Sequence, residues 1–221
     1  MKTEIVSFYC DIDNRTYYSD HAKRLRVNCD DKHIPYDIRP MDSRGEYRLN
    51  CLSKPKFLLT VLEEKKKPFV WLDIDCIIHN ELKVFDELED KCDIAFPFDG
   101  IPPYTNALRP GVHIIYLNYK PIVIEFLKHW ILECEKNEIE KEIPVFDHEI
   151  LMNKVMPVFF TKLKLGMLAG NYGIWPGTQP PTGTKPMITI GVADGQSKEK
   201  GLIEMGLTED IVKYNLVGDR K

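Results

Sequence analysis

The sequence predicts an α/β fold built on a mainly parallel central sheet, and three observations carry that expectation. Strand-like runs and helical patterns alternate along the first third of the chain in the order β-α-β-α-β, the order of parallel sheets with right-handed crossovers. Phe69-Val70-Trp71-Leu72 are four consecutive large apolar residues, which read as a strand buried on both faces. That run ends in Asp73-Ile74-Asp75, two carboxylates separated by one residue, and open α/β sheets bind ligands at the carboxyl ends of their strands.

The elements follow in order. Glu4-Ile5-Val6-Ser7-Phe8-Tyr9-Cys10 form the first strand, broken by Asp11-Ile12-Asp13-Asn14. A helical pattern runs over residues 18–27, with Ser19 or Asp20 placed to cap it. Tyr36-Asp37-Ile38-Arg39 is a short second strand, and residues 56–64 are helical again, with Phe57, Leu58, Val61 and Leu62 spaced to share one face. After the carboxylate strand, a helical segment around residues 84–88 leads to the strand Asp93-Ile94-Ala95-Phe96-Pro97-Phe98. A Pro- and Gly-rich loop covers 99–110, and Val112-His113-Ile114-Ile115-Tyr116-Leu117 is a further strand. Pro121 sits in the first turn of a helix reaching about residue 136, with Ile124, Leu127, Ile131 and Cys134 on its face. Another helix spans 147–155, and residues 176–200 read as a flexible loop around the strand Met187-Ile188-Thr189-Ile190. No internal repeat or linker divides the chain, so residues 1–221 are expected to form one domain.

Bulk properties exclude several classes. A chain of 221 residues with 43% hydrophobic content can bury a full core. Its net charge of −4 provides no basic field for nucleic acid. The run Glu63-Glu64-Lys65-Lys66-Lys67 reads as the solvated end of a helix. No apolar stretch reaches the roughly 18 residues of a membrane span, and Met1-Lys2-Thr3-Glu4-Ile5-Val6 runs straight into a strand pattern rather than a secretory signal. Cys10, Cys29, Cys51, Cys76, Cys92 and Cys134 lie far apart without zinc spacing, as expected of reduced thiols in a soluble protein of a cytoplasmic compartment.

A side-chain period of two puts Asp73 and Asp75 on the same side of their strand as it leaves the core. Like charges that close repel unless a cation or a proton sits between them. A hard divalent ion with oxygen ligands, Mn²⁺ or Mg²⁺, fits such a pair and takes its remaining ligands from water and substrate phosphates. The plainer alternative is a pair of turn or N-cap aspartates after a strand.

Four blocks extend the pattern. They are Asn50-Cys51-Leu52-Ser53-Lys54-Pro55-Lys56-Phe57, then Trp71-Leu72-Asp73-Ile74-Asp75, then Gly111-Val112-His113-Ile114-Ile115-Tyr116-Leu117-Asn118 with Trp130 twelve residues on, and Asp147-His148-Glu149-Ile150-Leu151-Met152-Asn153. In order and spacing these resemble the Asn-Cys-x-x-Lys-Pro segment, the Asp-x-Asp motif, the glycine-opened strand and the Asp-Gln-x-x-Leu-Asn helix start of GT-A glycosyltransferases, in particular the nucleotide-diphospho-sugar transferase group. His148 departs from that pattern by standing where the family has Gln, and a Gly-x-Gly-Thr-Arg loop near the N-terminus is missing. The compact, anchor-free form is similar to a virus-encoded member of the group.

The resemblance implies a GT-A fold and a metal-dependent transferase. Such an enzyme moves a sugar from a nucleoside-diphosphate sugar, most commonly of uridine diphosphate (UDP), to an acceptor hydroxyl on a glycan or glycoprotein. It implies Asp75 as the direct metal ligand, with Asp73 sharing the ion or binding the ribose. Lys54 would neutralise the diphosphate, against the alternative of an exposed lysine near a helix start. Tyr9 would stack on the base, against a tyrosine of the core. Gly111 would let the backbone approach the donor sugar, against a plain turn after Pro110. Asp147 would hold sugar hydroxyls or take the acceptor proton, against a simple N-cap. His148 would touch phosphate or acceptor, against a satisfied surface histidine. Trp130 is read as core.

Two other functions compete. A phosphohydrolase of the haloacid dehalogenase type also uses an apolar strand ending in Asp-x-Asp, but in its first strand, whereas two βα units precede it here. A non-catalytic nucleotide-sugar-binding module shares most of the same residues.

Overall fold

The computed structural model describes residues 1–11, 16–99, 109–140, 147–175 and 181–190. Strand β1 (Glu4–Tyr9) is followed by helix α1 (Tyr17–Asp31), β2 (Tyr36–Pro40), the consecutive helices α2 (Tyr47–Leu52) and α3 (Lys54–Lys65), and β3 (Phe69–Leu72). Next come β4 (Ile77–Ile78), a 3-10 turn at Lys83–Glu87, β5 (Ile94–Asp99), β6 (Arg109–Pro110), β7 (Ile114–Leu117) and the long helix α4 (Pro121–Glu140). Helix α5 (Asp147–Ile150) passes through a π turn at Leu151–Val155 into α6 (Met156–Phe159), ahead of β8 (Leu165–Leu168), β9 (Tyr172–Ile174) and β10 (Ile188–Thr189).

The large sheet has the order β2-β1-β3-β7-β5-β6, with β8 also on β5. β1, β2, β3, β5 and β8 point one way, while β6 and β7 run against them. The expected mainly parallel sheet is therefore present, with β7 reversed at its centre. β7 was placeable as a strand from its apolar run, but its direction rests on pairing with β3 and β5, which no local pattern encodes. A second sheet, β4-β10-β9, is built from strands of two or three residues, too short to show a period.

β3 is buried on both faces because its alternate residues serve two cores. Phe69 and Trp71 join Val6, Ile115 and Leu117 under α3, α4 and α6. Val70 and Leu72 join Ile5, Ile114 and Tyr116 beneath α1 and the small sheet. Each such large apolar side chain contributes about 1.5–3 kcal/mol on burial, so the centre of the sheet is where most of the fold's driving force collects.

The helices confirm the amphipathic reading, with local shifts. α3 buries Phe57, Leu58, Val61 and Leu62 as the spacing predicts. α4 buries Val123, Phe126, Leu127, Trp130 and Cys134, so its stripe shares Leu127 and Cys134 with the expected face but leaves Ile124 and Ile131 at the margin. α1 is not capped by Ser19 or Asp20. Its first free N–H groups, those of Tyr18 and Ser19, donate to the Asp11 carboxylate at 2.9 and 3.0 Å, a cap that reaches in from the end of β1. Of the loop expected at 99–110, Asp99 ends β5 and Arg109–Pro110 form β6, while residues 100–108, like most of the loop at 176–200, lie outside the described residues. Among the described residues no helix is long and apolar enough to cross a membrane.

The lysines at the end of α3 are not simply solvated. Lys65 pairs with Glu4 at 3.0 Å and Asp37 at 2.7 Å, and Lys67 pairs with Glu4 at 3.3 Å. Asp37 also takes Arg39, at 2.7 Å. The Arg39 hydrogen bond first, and then Lys65, outweigh burial and hold the Asp37 carboxyl at about 2, down from 3.8. A depressed carboxylate contributes stability above its unfolded pKa and loses it as pH falls through the folded one. Asp37→Asn is accordingly expected to cost on the order of 2 kcal/mol near neutral pH. Urea unfolding at several pH values should show its stability falling less than the native chain's between pH ~4 and ~2.

β8 can lie against β5 only because position 166 has no side chain. Ala95 and Gly166 are register partners, and a Cβ on Gly166 would sit 2.9 Å from both the Ala95 Cβ and the Cys92 Sγ. Gly166→Val should destabilise the fold by about 1–3 kcal/mol, read as a lower urea midpoint.

Candidate functional site

β3 ends at Leu72, and the chain then turns through Ile74 and Asp75, closed by Cys76 N–H donating to the Asp73 carbonyl at 3.0 Å. Asp75 thus stands in a turn rather than on the strand. Ile74 is buried between two partly exposed carboxylates, so the expected alternation persists through the turn. Both carboxylates act electrostatically on His113, Cys76 and Tyr47, which places them over one patch.

The Asp73 N–H donates to the His113 carbonyl at 2.9 Å and so extends the β3–β7 ladder by one residue. Across that step the His113 Nδ1 lies 3.1 Å from Asp73 Oδ2, and since a carboxylate only accepts, the imidazole donates. Trp71, two residues before Asp73 and on the same side, gives its indole N–H to Asp73 Oδ1 at 2.9 Å. Both Asp73 oxygens are therefore engaged.

Lys54 opens α3, with Pro55 pre-set for the first turn. Its ammonium lies 3.0 Å from Asp73 Oδ1, 2.8 Å from Asp147 Oδ2 and 3.3 Å from the Val112 carbonyl oxygen, with the Trp71 ring centroid 5.4 Å away. Three oxygens thus meet the three donors of one ammonium. The residue is 5% exposed. Burial works against its charge, but Asp147 and Asp73 outweigh it and hold the lysine protonated well past its ordinary range. Burial likewise opposes ionisation of Asp73, yet Lys54 and His113 pull its pKa below the usual carboxylate range. Burial disfavours imidazolium at His113, and the Asp73 hydrogen bond overcomes it, leaving His113 raised above 6.5.

Asp147, the first residue of α5, is 3% exposed, and its own carbonyl accepts the Trp130 indole N–H at 3.3 Å. Trp130 is fully buried, as read from its helical face. His148 follows, more exposed, with its pKa lowered by burial and further by His113 and Lys54. Gly111 is buried, donates to the Pro97 carbonyl at 2.7 Å and leads directly to Val112, whose carbonyl oxygen meets Lys54. Tyr9 lies at the end of β1 with the Arg26 guanidinium 5.6 Å over its ring.

The structure thus brings Lys54, Asp73 and Asp147 together, with Asp75 and His148 beside them and Tyr9 at the end of the neighbouring strand β1. At two positions the structure excludes the plainer alternative. Lys54 is not an exposed lysine near a helix start, because it is buried and its ammonium pairs with two carboxylates. Asp147 is more than an N-cap, because its carboxylate turns inward to that lysine. His113 and Trp71 were not foreseen as partners of Asp73. The period of two carries a signal for Trp71, whereas His113 is brought opposite only by the reversed β7.

Among the described residues no group of three or more His, Cys, Asp or Glu converges as a metal site. A hard ion that draws most of its ligands from water and diphosphate needs only one or two carboxylates, and the oxygen donors of this turn fit that chemistry.

Removing the buried ammonium leaves two carboxylates without their counter-ion. Lys54→Met is expected to destabilise the chain by about 3–5 kcal/mol in urea unfolding, and adding Asp147→Asn should recover part of that loss.

No protein-family model matches the chain, and no curated protein matches it in sequence. Its backbone is similar to solved structures. A glycosyltransferase involved in glycosylation of the major capsid of PBCV-1 superposes with a TM-score of 0.65 at 11% identity, covering 94% of this chain and 100% of that one. The bifunctional glycosyltransferase WbbM gives 0.55 at 12% identity, over 97% of this chain and 51% of that one. Mouse xyloside xylosyltransferase 1 gives 0.51 at 9% identity, over 86% and 98%. Helices flanking a mostly parallel sheet are thus common ground with these proteins in architecture, and the chain has the GT-A glycosyltransferase fold.

Proposed function

We propose that this chain transfers a sugar from a nucleoside-diphosphate sugar, with UDP as the favoured nucleotide, to an acceptor hydroxyl on a glycan or glycoprotein. The observation that carries the reading is the Asp73-Ile74-Asp75 turn at the carboxyl end of β3, held over a buried cation within a GT-A fold. Asp75 is assigned as the principal ligand of Mn²⁺ or Mg²⁺, with Asp73 as its neighbour in charge. When bound, such an ion neutralises the negative charge that gathers on the leaving diphosphate.

The chain's own residues prepare that site. Lys54 and His113 keep Asp73 ionised, so the patch beside Asp75 stays anionic at neutral pH. Asp147 holds Lys54 from the far side, and its burial supports a positioning role over direct removal of the acceptor proton. His148, neutral at neutral pH because its pKa is lowered below 6.5, offers a hydrogen-bonding group next to the cluster, facing sugar or acceptor. Gly111 brings bare backbone into the same wall.

The place of the Asp-x-Asp turn weighs against a phosphohydrolase of the haloacid dehalogenase type. That chemistry uses a motif at the end of the first strand, and here it follows β3, after two βα units.

The test is turnover of nucleotide-sugars with and without Mn²⁺, including the slow hydrolysis of donor that a pure binding module lacks. Asp75→Ala should lower metal-dependent turnover by roughly two orders of magnitude or more, with circular dichroism and unfolding temperature unchanged. Full activity in that variant would overturn the mechanism.

A further inference from the structure

A cleft of about 610 Å³ opens between the first half of α3 and the second half of α4, and the chain leaving β2 lies at its side. Ser53 just ahead of α3, with Lys56, Phe57 and Thr60 on it, lines one wall. Ile131, Cys134, Glu135 and Glu138 of α4 line the other. Each set is spaced i, i+3, i+4, i+7, which is one face of a helix over about two turns. The walls therefore run for about 10 Å, and the volume falls inside the roughly 300–1,000 Å³ of small-molecule sites. Ile131, which the core leaves at its margin, belongs to this wall.

The floor is apolar and the mouth is polar. Phe57 and Cys134 are buried, whereas Lys56, Thr60 and Glu135 are exposed. Arg44, after β2, forks onto Glu138 at 2.6 and 2.8 Å and ties that segment to α4. Arg39 is divided between Asp37 at 2.7 Å and Glu64 at 2.8 Å. Among the described residues no ion pair holds Lys56 or Glu135, one on each wall. Arg39, Arg44 and Lys56 are balanced by Asp42, Glu135 and Glu138, so the lining carries no net charge.

That balance decides the class of ligand. An anion or a cation would gain at some of these groups and lose at the others. An apolar helix face would cover Lys56, Thr60 and Glu135 without giving them partners. A sugar hydroxyl both donates and accepts, so it satisfies a carboxylate, an ammonium or a guanidinium alike. The C–H faces of the same ring match the apolar floor. A wall of about 10 Å is longer than a single sugar ring and accommodates a short oligosaccharide.

The cleft also borders the Lys54 cluster. Lys54, about 100° round the helix from Ser53, turns to Asp73 and Asp147 instead. Cys134, in the floor, lies in the field of Asp147. We propose that this cleft is a second carbohydrate site, which holds a neutral oligosaccharide stretch of the acceptor apart from the hydroxyl that receives the sugar. The inference rests on the transferase reading above and adds to it the class of acceptor, an uncharged glycan longer than one unit.

The full chain, without donor or Mn²⁺, is tested on an array of neutral oligosaccharides, the matching monosaccharides, and sialylated or sulfated chains. Retention of the neutral oligosaccharides over both other groups is expected. Lys56→Ala combined with Glu135→Ala removes a hydrogen-bonding group from each wall and should weaken that retention about tenfold or more. Thr60→Trp fills the mouth and should act alike; if it lowers the unfolding temperature, the double alanine variant decides. Hydrolysis of UDP-sugars in Mn²⁺ should stay within about twofold in both variants, because the substitutions are remote from Asp75. A native chain that hydrolyses donor but retains no neutral oligosaccharide overturns the cleft alone. So does retention that both variants leave unchanged, a preference for the acidic chains, or a dimer in sedimentation that Thr60→Trp dissolves. A chain that retains neutral glycans at this cleft yet hydrolyses no donor overturns the transferase reading and upholds the carbohydrate site.

Discussion

The arrangement depends on one buried ammonium. Lys54 joins the start of α3, the end of β3 and the start of α5, three segments that are remote in sequence. A buried ion pair gives little net stability against a well-packed apolar replacement, so its contribution is geometric. Asp73 cannot drift without separating from Lys54, and Asp75 follows two residues on in the same closed turn. The carboxylate pair is thus placed by a charge set beneath it.

Around that charge the sheet supplies a second restraint. The reversed β7 lies against β3 in register, so its first residues arrive opposite Asp73. Val112 gives Lys54 a carbonyl and His113 gives Asp73 an imidazole, and the two belong to consecutive positions of one strand entry. Backbone pairing and side-chain electrostatics therefore locate the same atoms independently. On the other flank, Asp11, two residues past β1, caps α1 with its carboxylate, so the start of that helix is referred to the same sheet.

Much of this was legible because it is encoded locally. Four adjacent large apolar residues, ended by a turn, read as a strand covered on both sides, and the 57-58-61-62 spacing reads as one helical face turned inward. Asp73 and Asp75 stood out because nothing apolar excuses two carboxylates there. The rest depended on partners that no local pattern names. A lysine at a helix start reads as exposed until the carboxylates that bury it are known. His113 shows no spacing to Asp73, since the link is an antiparallel register across 40 residues of chain. Asp11 was read as a break after β1, and only the fold shows that its side chain reaches across to cap α1.

The π turn between α5 and α6 carries a last implication. Its N–H of Met156 bonds back to Leu151, which accommodates one more residue than a regular helix between Asp147 and Phe159. That surplus lets the carboxylate and the ring both point inward from one rod. Each residue of helix is worth roughly 100° of rotation. The length of this stretch is consequently under as much constraint as its composition: gaining or losing one position there would swing Asp147 away from its cation while every neighbouring side chain kept its identity.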